Sequence, residues 1–282
     1  MPPISSPRIG RRLLAVPVLV AILLAASAGS VAARGLEVAD PAGRGKPPPR
    51  DPIGYDISYP QCGGAFPPNV AFGIVGVNGG RVYRPNPCLG AGEEPSQLAW
   101  AGRDAQLYAN TGNPGPELSS YWPVGQTAPR TCEASDPDTH DCAYDYGWNA
   151  ASDSYRTAVD AYISLGWADP DATRTPVANQ WWLDVETANS WRTDASLNVA
   201  ALQGAADYLE SVGAASVGFY SAPFMWDEIT GGTDAFADHP TWVAGASVLR
   251  QATRLCRGDG FTGGGVALSQ YFANGFDADY PC

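Results

Sequence analysis

The 282 residues are long enough for one large domain or two small ones, and a composition that is 45% hydrophobic and 11% aromatic argues for a packed core against disorder. Seventeen basic residues against 29 acidic ones give a net charge of -12. That balance works against an electrostatic grip on nucleic-acid phosphates or anionic lipid.

Residues 1–33 read as a signal peptide. Arg8, Arg11 and Arg12 precede the apolar run Leu13 to Ala28, and small residues offer cleavage after Ala28 or after Ala33. The run falls short of the ~20 residues of a membrane span and Pro17 interrupts it, so export is expected and stable membrane insertion is not. Residues 34–52, rich in Pro, Gly and charge, read as a linker with an extended stretch at Pro47, Pro48 and Pro49. Residues 53–282 then form one domain, close to the ~250 residues of a single (β/α) barrel and without a second break in composition.

Short apolar strands are predicted at Ile53 to Ser58, Phe72 to Val77, Gln106 to Ala109, Gln180 to Val185, Ser216 to Ser221, Thr241 to Ala246 and Val266 to Tyr271. Helical stretches alternate with them, which implies parallel strands and an α/β class; the periodicity itself does not give barrel closure. One helix starts from about Pro95 and runs through Leu98 and Ala101. A second uses Tyr155, Val159, Tyr162 and Ile163 before Gly166. The clearest takes Asp194 as N-cap, aligns Leu197, Ala201, Ala205, Tyr208, Leu209 and Val212, and stops at Gly213. Residues 111–147, rich in Pro, Gly and Asp, read as an elaborated loop over one end of the sheet.

All six cysteines, Cys62, Cys88, Cys132, Cys142, Cys256 and Cys282, lie beyond the signal, and an even number in an exported chain favours disulfides. Their grouping favours the pairing that closes the shortest loops: Cys62–Cys88, Cys132–Cys142 and Cys256–Cys282. No C-x-x-C occurs, so structural zinc is not expected. Asp136, Asp138 and Asp141 lack a full calcium-loop pattern and read as a solvated acidic loop. No metal or cofactor is expected.

No serine elbow or phosphate loop occurs, no G-x-G-x-x-G follows a predicted strand, and the two histidines, His140 and His239, sit in surface-like segments. The strongest local signal is Trp181-Trp182-Leu183-Asp184-Val185-Glu186, a strand ending in two acids one residue apart. Alternation puts Asp184 and Glu186 on one face. At the C-terminal end of a barrel strand, their mutual repulsion would keep one protonated as a general acid, as glycoside hydrolysis requires. An isolated D-x-E is more often the solvated end of a strand; here two further segments also supply acids. Gly54-Tyr55-Asp56-Ile57-Ser58 ends the first strand with Asp56, and Gln270-Tyr271 is followed by Gly275-Phe276-Asp277-Ala278-Asp279.

This order of motifs, an opening G-x-D-x-S, a central hydrophobic D-x-E and a closing Q-Y followed by an acid, resembles the glycoside hydrolase family 25 lysozymes (N-acetylmuramidases). Gly218-Phe219-Tyr220-Ser221 with Trp226, and Thr241-Trp242-Val243-Ala244, look like that family's later strands. The resemblance covers roughly residues 53–282. It implies a single modified TIM-like β/α barrel that cleaves the β-1,4 bond after N-acetylmuramic acid in peptidoglycan. The signal peptide points to a protein secreted or associated with the cell wall, and a monomer is expected. It assigns the acid to Glu186 and an accompanying cluster to Asp56, Asp184 and Asp277. Asp279 stands where relatives are expected to carry Asn. Trp181 and Trp182 are expected to supply apolar surroundings that raise the Glu186 pKa. Tyr108, Tyr220 and Tyr271 are candidates for stacking on sugar rings. The 111–147 excursion departs from the family pattern. Two other readings remain open: a non-catalytic wall-glycan binder that uses the acids as a sugar cradle, and a hydrolase of another N-acetylated polysaccharide.

Overall fold

The computed structural model describes residues 52–92, 95–168 and 179–282. The predicted signal peptide, residues 1–33, lies outside the described residues, as does the predicted linker up to residue 51. Eight strands close into one barrel in chain order: β1 (Gly54–Ile57), β2 (Gly73–Gly76), β3 (Gln106–Asn110), β4 (Gln180–Asp184), β5 (Ser216–Ser221), β6 (Thr241–Ala246), β7 (Val266–Ala273) and β8 (Phe276–Pro281). The helices are α1 (Gln97–Ala101), α2 (His140–Ser164), α3 (Ala195–Ser211), α4 (Pro223–Thr230) and α5 (Leu249–Leu255).

β1 to β7 run parallel, as the alternation with helices implies. The expectation of parallel strands fails at β8, which is antiparallel to both β7 and β1 and closes the barrel between them. The cause is local. Ala273 pairs with Phe276, leaving Asn274 and Gly275 as a two-residue turn with φ of 56° and 86°, and Asn-Gly is the dipeptide that such tight hairpins favour. Asp277 and Asp279 therefore lie within a strand.

Alternation along the strands sorts the core into two layers. Inside the barrel, Ile74, Trp182, Trp242 and Leu268 pack together beneath Tyr108 and Tyr220. Outside it, Val75, Leu107, Trp181, Leu183 and Phe219 meet the helix residues Tyr155, Leu202, Leu209 and Trp226. Trp181 and Trp182 thus face opposite ways.

The excursion at 111–147 is only partly a loop, because α2 begins at His140. Thr139 caps it by accepting a hydrogen bond from the Cys142 N–H at 3.3 Å. The first half of this helix buries Tyr144, Gly147, Ala150, Ala151 and Ser154, a small and aromatic face with little apolar periodicity. α2 and α3 touch backbone to backbone. A Cβ on Gly147 would stand 1.8 Å from the Ala201 carbonyl oxygen, and one on Gly204 would stand 2.0 Å from that of Tyr144. The preceding loop is tied down by its own small core of Trp122, Cys132, Cys142, Tyr146 and Leu197. Disulfides join Cys62–Cys88, Cys132–Cys142 and Cys256–Cys282, the shortest-loop pairing.

Candidate active site

A cleft of about 190 Å³ opens over the C-terminal ends of the parallel strands, lined by Asp56, Tyr108, Asp184, Glu186, Tyr220, Trp242, Gln270 and Asp277. Strand parity brings these side chains together. Asp56 on β1 is the register partner of Asp277 on β8, so the two share the inner face. Asp184 ends β4 on the inner side, and Glu186 follows two residues later on the same side. The four acids read from the motifs meet in one place with no basic residue in the lining.

Carboxyl groups gathered without a cation and partly out of water hold protons to higher pH than usual. Burial, with the charge of Asp277 second, raises Asp56 to a pKa of about 8. Burial first, and the neighbouring Glu186 second, pushes Asp184 well above the carboxylate range. The Asn110 side-chain N–H donates to Asp184 Oδ2 at 2.5 Å, and Glu186 lies beside the same carboxyl. Glu186 is also raised by burial, while the hydrogen bond from Asp184 pulls it back down. Both members of the pair are thus held above the ordinary carboxylate range. Of the two, half-buried Glu186 is the more open to the cleft, and Asp184 is only 4% exposed. The apolar surroundings of the pair differ from expectation: Trp182 lies beneath it inside the barrel, whereas Trp181 points outward against Tyr155.

Behind these acids runs a relay of fixed hydrogen bonds. The Tyr220 hydroxyl donates to Gln270 Oε1 at 2.9 Å, and Gln270 Nε2 donates to Asp56 Oδ2 at 2.9 Å. Asp279 is fully buried one inward step below Asp277. Its Oδ1 accepts from the Trp242 indole N–H at 2.9 Å, and its carboxyl hydrogen-bonds Asp56. Two ionised carboxylates cannot form such a bond. Burial holds the Asp279 pKa well above the usual range, so Asp279 carries the proton and donates it to Asp56.

Tyr108 and Tyr220 line the cleft, but Tyr271 does not. It is buried with Ala252 and Ala278 against α5, because its neighbour Gln270 takes the inward parity on β7. Asn110, and Gln270 and Trp242, which appear in the motifs without a site role, are the site residues that the sequence reading did not nominate. For Gln270 the signal was present in the strand alternation, since only one of Gln270 and Tyr271 can face inward. The histidines stand apart from the cleft. His140 is the first residue of α2, 2.8 Å from the Ser196 hydroxyl, and His239 packs between Phe219 and Phe236 just before β6. The acidic loop is ion-paired: Asp138 with Arg192 and Asp141 with Arg130.

Fold and site define a closed β/α barrel with a carboxylate-only cleft at the end where such barrels place their chemistry. The sequence matches a family model described as Lysozyme-like protein 1 over residues 172–250, the stretch that holds Asp184, Glu186, β5 and β6. It is 40% identical over 63 residues to a probable GH family 25 lysozyme 4 of Dictyostelium discoideum, an alignment covering 22% of this chain and 29% of that protein. The family 25 resemblance read from the motifs is thus met by sequence similarity over part of the chain. The fold is similar to that of a muramidase from Trichobolus zukalii, with 18% identity, TM-score 0.46 and coverage of 82% of this chain and 93% of the other. It is also similar to a bacterial lysozyme from Streptomyces coelicolor, with 15% identity, TM-score 0.47 and coverage of 83% and 93%.

Proposed function

We propose that this chain is an exported glycoside hydrolase that cleaves β-1,4 bonds of peptidoglycan by carboxylate acid catalysis. The observation that carries this reading is the convergence of Asp56, Asp184, Glu186 and Asp277 in one open, cation-free cleft. Glycoside hydrolysis needs one carboxyl that gives up a proton and another that stays charged near the developing oxocarbenium ion. Glu186 faces the cleft beside Asp184, and burial and like charge favour a proton on this pair, so that proton reaches the leaving sugar oxygen through Glu186. Asp277, on a facing strand, provides negative charge for the sugar ring, and Asp56, held in place by Gln270 and Asp279, adds charge as pH rises toward its pKa of about 8. Tyr108 and Tyr220 offer aromatic surface for the ring.

Three disulfides and the apolar N-terminal run support export. No helix of the described residues is long and apolar enough to cross a membrane. Purified protein incubated with peptidoglycan is expected to release new reducing ends at muramic acid. Binding to the polymer without any cleavage would move the protein to the class of glycan-binding barrels.

A further inference from the structure

A second groove, of about 450 Å³, lies on the same end of the barrel in the loops that follow β2, β3 and β4. Its walls are tied to the catalytic segment. The Asn189 N–H and the Trp191 indole N–H both donate to the Glu186 carbonyl, at 3.1 and 2.8 Å, and the Thr111 hydroxyl donates to the Asp184 carbonyl. The chemistry of the two concavities is opposite. The cleft is lined by four acids and no base, whereas the groove is lined by one charged residue, Arg81, and no acid. Arg81 is exposed and makes no ion pair among the described residues. In a chain with net charge -12 it is therefore a cation left free to meet an anion.

The rest of the groove is built to hold an extended polar chain. Tyr121 is 56% exposed and stacks flat on Tyr83, with centroids 4.1 Å apart and planes 7° apart. Tyr83 has a φ of +60°, an unusual backbone for an aromatic residue, and packs edge-on to Tyr146. The Asn189 side-chain N–H is enclosed and has no hydrogen-bond partner among the described residues.

We infer that this groove binds the carboxylate-bearing peptide stem of the substrate, with Arg81 as its anion contact and the Tyr83–Tyr121 stack as its floor. The inference rests on the peptidoglycan reading above. A neutral sugar backbone in the acidic cleft and an anionic appendage in the basic groove make one ligand that satisfies both sites.

The test compares intact peptidoglycan with the same glycan stripped of its stems by an amidase, for the wild type and Arg81→Gln. The wild type is expected to prefer the intact polymer by about tenfold in kcat/KM, the scale of one charge-assisted contact. Arg81→Gln is expected to lose that preference through KM, with kcat and the stripped glycan unaffected, and added salt should erode it in the wild type alone. Equal use of both polymers by the wild type, or an equal loss on both in Arg81→Gln, would overturn the inference. Calorimetric titration with a soluble acidic stem peptide separates the two readings. Binding that weakens about tenfold in Arg81→Gln, in a protein that cleaves neither polymer, would retain the groove and reject the hydrolase. Absence of binding to the wild type would reject the groove.

Discussion

Asp279 shows how one side chain sets the state of another. It is fully buried, receives one N–H from Trp242, and has Asp56 beside its second oxygen. Its proton makes that arrangement a donor–acceptor pair in place of a repulsive one. Asp279→Asn substitutes an amide N–H for the carboxyl O–H, so the contact to Asp56 survives, and turnover at neutral pH is expected to stay within about threefold of the wild type. Asp279→Leu removes the donor, so the Asp56 pKa should climb above its value of about 8 and turnover should fall by roughly tenfold or more. Carboxyl titration by NMR would contradict this if Asp56 titrated at the same pH in both variants. Asp279 was visible in the sequence as a departure from the family pattern. Its burial and its bond to Trp242 were not, because strand parity gives a face and not a depth.

At the level of elements, the α2–α3 contact depends on two glycines that no periodic pattern marks. Gly147→Ala places a methyl group against the Ala201 carbonyl, where backbone must move to admit it. We expect a loss of about 1–3 kcal/mol in urea unfolding, in the range of overpacked cores. An unchanged midpoint would mean that the helices are not in backbone contact. The same region shows where the sequence was legible and where it was not. α3 was readable from Asp194 and Leu197 because its buried face is apolar and its cap is an acid. The first eight residues of α2, 140–147, were read as loop because their buried face includes Tyr144 and Gly147, which pack by shape and carry little apolar signal. β8 was missed although Asn274-Gly275 announces its hairpin, since Phe276-Asp277-Ala278-Asp279 turns its acids inward, Asp279 fully buried, and reverses the usual pattern. The four cleft acids were legible because each ends or opens a strand in a recognisable motif, while Asn110 carries no motif and the Q-Y motif does not say that Gln270 and not Tyr271 faces the cleft.

For the whole molecule, barrel closure lies beyond periodicity, which reports faces and not neighbours; β8, by pairing with both β1 and β7, supplies it. Closure gathers acids that the unfolded chain keeps apart, and stability should follow their protons. Asp56, Asp184 and Asp279 keep protons in the folded state that the unfolded chain releases above a pH of about 4. The folded state then binds more protons, so stability is expected to fall as pH rises from about 4 through 8. A melting temperature that rises over that interval would contradict the assignment. The central claim is that the gathered acids perform catalysis through Glu186. Glu186→Gln keeps the side chain's size and removes its titratable proton. Release of reducing ends from peptidoglycan, measured side by side, should be clear for the wild type and at least about 10²-fold slower for Glu186→Gln, with polymer binding retained; hydrolysis by Glu186→Gln at the wild-type rate would contradict it.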